Sequence, residues 1–193
     1  VAPVLGEGTH NITANYSGAT GFGASSGSLT QVVDRATQIT GNTYCNAGKI
    51  TVPQAIAGAS VYPSKIFVSG LAGSIQSVTM DLKGFTNPAT DDVNMLLVSP
   101  SGQKFVPFAF ISDSAGATSG ANIKLDDLAA NTLPNSGPVA SGTYQPSHGL
   151  DGGGVSPVTF VAPAPAGPYN SAAPGGSATF ASTFSGASPN GTW

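Results

Sequence analysis

Glycine and proline interrupt this chain so often that no stretch of it is suited to a long helix. The 193 residues include 26 glycines and 15 prolines. Inside a helix, glycine costs about 1 kcal/mol and proline about 3 kcal/mol relative to alanine. Ser, Thr and Val abound between the breaks, and these favour strands, turns and caps. The Gly and Pro share is still below the roughly 25–30% that marks low-complexity disorder. Hydrophobic residues at 40% suffice for a core. The expected product is all-β, with short strands and long Gly/Pro-rich loops.

The hydrophobic pattern supports this from Lys49 onward. Ile50 and Val52 alternate with polar residues, as do Ile66 and Val68 before Ser69-Gly70. Ile75, Val78, Met80 and Leu82 form another run that ends at Lys83-Gly84. Met95-Leu96-Leu97-Val98 is a continuous apolar run followed by Ser99-Pro100-Ser101-Gly102, which predicts a central strand entering a tight turn. Phe105, Val106, Phe108, Phe110 and Ile111 follow, with Phe108 and Phe110 expected on one face. Residues 114–122, 131–141 and 147–177 read as long connections. The prolines of Val161–Pro168 lack ladder donors, so that run is an extended surface segment. Ala178–Phe184 resumes alternation, and Pro189-Asn190-Gly191 turns into Thr192-Trp193. Strands punctuated roughly every 8–12 residues fit a β-sandwich or a jelly roll.

Residues 1–46 differ and form an N-terminal arm or extension, leaving 47–193 as the sandwich. Tyr16–Ser28 is mostly Gly, Ala, Ser and Thr and reads as a loop or arm. Ser28-Leu29-Thr30-Gln31 has capping-box spacing ahead of Val32, Val33, Ala36 and Ile39, which fits either a short helix or an irregular strand.

Charge excludes several classes of function. Only 8% of residues are charged, against about 25% in an average protein. The net charge is −3 with no basic cluster, which excludes nucleic-acid binding through phosphate neutralisation. No apolar run reaches the roughly 18 residues of a membrane span. The chain begins at Val1 without a basic-then-apolar leader and reads as a mature or trimmed product. Low charge, abundant Ser, Thr and Asn, and a single cysteine, Cys45, point to a secreted, extracellular or cell-surface protein. Cys45 is either an inert thiol or half of an intersubunit disulfide. Asn11, Asn15 and Asn190 each open an N-glycosylation triplet.

Catalytic motifs are missing. The two histidines are His10 and His148, and neither lies in a nucleophile motif. No Gly-x-Ser-x-Gly elbow occurs. His148 sits in a Gly-rich loop and is expected to be an exposed polar residue. The chain therefore reads as a non-enzyme. Asp91-Asp92 and Asp126-Asp127 are the adjacent charge pairs of an acid-poor chain. Adjacent carboxylates repel, and Ca2+, which takes oxygen ligands, relieves that. Asp113 and Asp151 are further loop acids. The competing reading makes all of these turn formers and caps. Tyr144, Tyr169 and Trp193 are candidates for a sugar-stacking platform.

Five blocks, in order, carry a family resemblance. They are Tyr62–Leu71, Asp91–Gly102 with its Leu-x-Ser-Pro-x-Gly ending, Leu125-Asp126-Asp127, Ser141–Pro146 with Gly-Thr-Tyr-x-Pro, and Ser188-Pro189-Asn190-Gly191-Thr192-Trp193. Together, over residues 49–193, they resemble the P domain of proprotein convertases in its secreted bacterial form. The resemblance implies a jelly roll that accompanies a protease without being catalytic. By motif position it favours Asp92 and Asp127 as calcium ligands, ahead of Asp91 and Asp126. Asn87 stands about where the family often has His. The family also continues past the final Trp, so the sandwich reads as lacking its C-terminal strand.

Three functions follow as expectations. The first is a self-associating structural or filament subunit that uses strand exchange at an open sheet edge, with Val1–Thr13 or the stretch near Val32 crossing to a neighbour. The second is an accessory domain in the same polypeptide as a subtilisin-like protease. The third is a carbohydrate- or surface-binding module.

Overall fold

The computed structural model describes residues 8–33, 38–46, 48–53, 57–112 and 116–193. The chain divides into two compact units, residues 1–49 with 64–66, and residues 50–63 with 67–193.

In the first unit, β1 (Gly8–Tyr16) and β2 (Ser25–Val33) pair antiparallel over nine rungs, from Gly8↔Val33 to Tyr16↔Ser25, without a register shift. Ser28–Gln31, with its capping-box spacing, is therefore strand. The supposed loop Tyr16–Ser28 narrows to residues 17–24. Thr, Ile, Leu and Val favour the pleated state, and each gains a cross-strand partner that a lone helical turn lacks. A second small hairpin joins β3 (Gln38–Thr40) to β4 (Thr43–Cys45).

The second unit is an all-β sandwich. Its elements are β5 (Phe67–Val68), β6 (Thr79–Asn87), β7 (Met95–Val98), β8 (Lys104–Ala109), β9 (Thr118–Asp126), β10 (Gly142–Tyr144), β11 (Ser147–His148), β12 (Asn170–Ser171), α1 (Phe180–Phe184) and β13 (Gly191–Thr192). One sheet has the order β10-β9-β6. In the other, β8 is central, with β7 antiparallel to it and β11 and β12 parallel to it. Thr192, expected to open a strand, is instead the second residue of β13, which pairs with β5. Phe105, Phe108 and Ile111 meet Ile123 and Leu125 across the core, and Phe180 and Phe184 join them. The β10–β9, β11–β8 and β12–β8 pairs are parallel, whereas a jelly roll is built from antiparallel strands. These short strands return through long loops rather than hairpins, so the loop sets their direction.

Several expectations change. The central strand is β8 rather than Met95–Val98, although the turn after β7 forms as read, with Gly102 N–H donating to Ser99 O at 2.9 Å. β8 contains a buried proline, Pro107, in its interior. It lies between the residues paired with β12 (Phe105 and Val106) and those paired with β11 (Phe108 and Ala109), and opposite the register shift of β7. No rung of the ladder therefore depends on its missing N–H. Phe108 is fully buried, but Phe110 lies beyond the strand at φ 50 and does not continue its face. Residues 118–122, read as loop, belong to β9. Lys83-Gly84 does not end β6; Gly84, at φ 64, sits in a bulge inside it. Ile50 and Val52 lie in irregular chain.

Ala178–Phe184 is not a strand. Phe180, Thr183 and Phe184 are buried at i, i+3 and i+4, and Thr179 with Ser182 forms a capping box. Among the described residues, no helix is long and apolar enough to cross a membrane.

Candidate functional site

The four acids read as calcium ligands occupy two places. Asp91 and Asp92 close a 3-10 turn, Thr90–Asp92, ahead of β7. Asp126 ends β9 and Asp127 follows it in the turn. Asp126 Oδ1 accepts from Leu128 N–H at 3.0 Å, and Oδ2 lies 3.3 Å from Lys124 Nζ. The Leu128 hydrogen bond, opposed by burial and helped by Lys124, holds the Asp126 carboxyl below its ordinary range. Asp127 Oδ1 accepts from Phe180 N–H at 3.0 Å and Oδ2 from Ala181 N–H at 2.8 Å. Asp127 thus caps a helix more than fifty residues further along the chain. Asp126 and Asp127 therefore have the turn and cap roles of the competing reading. Asp151 Oδ2 accepts from Ser156 Oγ at 2.9 Å, while Asp113 lies outside the described residues. Among the described residues, no three His, Cys, Asp or Glu side chains converge as metal ligands would.

His148, expected to be exposed, is 2% exposed. The parallel β11–β8 pairing draws it inward, its ring lies 5.3 Å from that of Phe110, and Nδ1 is 2.9 Å from Gly149 O. Gly175 packs so closely on the ring that a Cβ there would overlap it. His10 is half-buried in β1, and Cys45 is half-buried in β4.

The aromatic trio divides. Trp193 lies 5.2 Å from Phe184 at the core and donates Nε1–H to Pro189 O. Tyr144 packs half-buried against the same core. Tyr169 instead meets Phe160 edge-on at 5.3 Å and lines an open cleft of about 480 Å3 between residues 157–160 and 167–171. The proline-rich loop beside this cleft has few N–H donors, so its carbonyls are held by side chains. Tyr62 OH donates to Val161 O, Tyr169 OH to Pro165 O, and Lys104 Nζ to Ala166 O at 2.6 Å. Burial, and to a lesser extent Tyr169, pushes the Tyr62 phenol up.

The sequons also divide. Asn190 Oδ1 accepts from Leu71 N–H at 3.1 Å and Nδ2 donates to Leu71 O at 2.7 Å, so the nitrogen a glycan would modify already serves the fold. Asn11 and Asn15 are exposed on one face of the β1–β2 ribbon.

That ribbon has two distinct faces. Directly paired residues share a face. Asn11, Thr13 and Asn15 stand opposite Thr30, Ser28 and Ser26, forming a polar stretch of one face on which Thr30 Oγ1 donates to Asn11 Oδ1 at 3.0 Å. The other face carries Ile12 against Leu29, and Tyr16. These three are 43%, 62% and 46% exposed. Among the described residues no further strand pairs with either ribbon edge. Natural edge strands are guarded by charge, proline or a bulge. β6 has Asp81, Lys83 and the Gly84 bulge. His10–Tyr16 and Ser25–Gln31 have no Asp, Glu, Lys, Arg or Pro, and the nine rungs contain no bulge. The composition of residues 10–31 carried this signal, but recognising it required seeing the two segments paired.

Comparison with known proteins finds no matching family model, no matching curated protein and no matching solved structure.

Proposed function

We propose that this chain is a non-catalytic structural module of the cell exterior that self-associates through the β1–β2 ribbon. The unguarded ribbon is the observation that carries this reading. A two-stranded hairpin is at best marginal in water and gains stability from further strands or a packing surface. Pairing with a second copy would satisfy the edge backbone and widen the ribbon into a larger sheet. A net charge of −3 leaves little repulsion between copies.

An accessory domain of a secreted subtilisin-like protease is the second reading. Its support is that residues of the convertase-like blocks do structural work here, with Asn190 clamping Leu71 and Asp127 capping α1. Sedimentation of the full chain over a concentration series separates the two. The assembly reading expects the mass to rise with concentration and Ile12→Lys, a charge of the kind that guards natural edges, to return it towards monomer. A monomer at every concentration overturns it.

A further inference from the structure

We propose that Asp151-Gly152 is a site of spontaneous backbone modification, where aspartate converts to isoaspartate in the folded protein, and that the fold withholds Asn190-Gly191 from the same chemistry. The chain contains one Asp-Gly and one Asn-Gly dipeptide. In both, the glycine nitrogen can approach the preceding side-chain carbonyl carbon, because glycine has no Cβ to obstruct it. The reaction also needs a backbone that can adjust and a side chain that can turn. The two dipeptides differ in both respects.

Asp151 and Gly154 exchange reciprocal backbone hydrogen bonds at 2.8 and 3.1 Å, so Gly152 and Gly153 form the centre of a tight turn, at φ 59 and φ 84. Residues 151–154 are all exposed. Among the described residues nothing accepts from Gly152 N–H, and a Cβ at Gly152 would meet open space. The Asp151 carboxyl has one contact, at an exposed position, where Ser156 Oγ donates to Oδ2 at 2.9 Å. That hydroxyl faces one of the two oxygens that can leave. In the reaction Gly152 N bonds to Asp151 Cγ and loses its proton, and one carboxyl oxygen departs as water, closing a succinimide. Water then reopens the ring at the main-chain carbonyl. The chain now runs through Cγ, and the former main-chain carbon becomes a carboxylate. No oxidant or cofactor enters, and net mass and charge are unchanged.

Asn190 is held differently. Its Oδ1 accepts from Leu71 N–H and its Nδ2 donates to Leu71 O. Gly191 pairs with Val68, and a Cβ there would lie 2.6 Å from Pro100 Cβ. Side chain and peptide cannot turn towards each other until this clamp opens. Opening gives up two hydrogen bonds, which slows the folded reaction roughly ten- to hundredfold relative to the unfolded chain.

The test incubates the full chain in neutral buffer with and without urea, with circular dichroism reporting which state is present. Peptide mapping by mass spectrometry, with an isoaspartyl methyltransferase as label, locates the product. The wild type should accumulate isoaspartate at Asp151 in buffer, at a rate that urea changes little. Asn190 should deamidate, releasing ammonia, roughly ten- to hundredfold faster in urea than in buffer. Asp151→Asn places the faster-reacting amide in the exposed turn and should deamidate there in buffer ahead of Asn190 by a similar factor. Reaction at Asp151 in urea but not in buffer overturns the assigned site, as does an Asp151→Asn chain that reacts no faster at residue 151 than at Asn190. Equal rates at Asn190 in buffer and in urea overturn the protection by the Leu71 clamp.

Discussion

Asp127 offers the sharpest test of how the sandwich is held together. A helix leaves its first backbone N–H groups without internal partners. In α1 all four at the N-terminus are satisfied. Thr179 N–H reaches Ser182 Oγ at 2.8 Å and Ser182 N–H reaches Thr179 Oγ1 at 3.0 Å, while Asp127 takes Phe180 N–H and Ala181 N–H. The stake is larger than one helix turn, because Phe180 and Phe184 are fully buried and Phe180 lies 5.2 Å edge-on to Phe105. Asp127→Ala removes two charge-assisted acceptors at a partly exposed site. Helix-cap losses and hydrogen bonds to charged groups place the cost at about 2 kcal/mol. Asp127→Asn keeps one oxygen acceptor but loses the charge and the second oxygen, at about 1 kcal/mol. In thermal terms the Ala variant should melt about 4–8 °C lower. Trp193 is the assay: it is the sole tryptophan and packs on Phe184, so its fluorescence reports this unit during denaturant unfolding. A loss under about 0.5 kcal/mol for Asp127→Ala, the usual range of an inconsequential surface change, would refute the capping argument.

Two further expectations concern single groups. Thr183 Oγ1 is buried without a partner among the described residues, so Thr183→Val should raise the unfolding free energy by about 1 kcal/mol, read as a higher denaturant midpoint, and a loss of stability would show that the hydroxyl is satisfied. Because the folded Asp126 carboxyl titrates below the unfolded value of about 3.9, its contribution is complete above that pH and fades as pH falls through the lowered value. Asp126→Asn preserves an acceptor for Leu128 N–H and should flatten this acid limb in urea midpoints measured across pH; an unchanged limb would refute the assignment.

Local pattern and turn chemistry were enough to mark parts of the sandwich. The alternation of Met80 and Leu82, the apolar run Met95–Val98 and the turn at Ser99–Gly102 depend on neighbours within a few residues, and such neighbours can be read directly from a sequence. The capping box at Thr179 and Ser182 was equally local, yet the strand-like alternation of Ala178–Phe184 masked it. Other features required the folded chain. Nothing near Asp127 in sequence announces a helix beginning at Phe180. Nothing in the loop around His148 tells that a parallel pairing with β8 draws it inside. The polar stretch before Val32 looks like a loose arm until β1 lies beside it and sorts its side chains onto two faces. Composition and period made this a β protein, because strand formation rewards residue type at every second position. Tertiary structure decided which carboxylate became a cap and which edge stayed open, because those outcomes depend on groups brought together from distant parts of the chain.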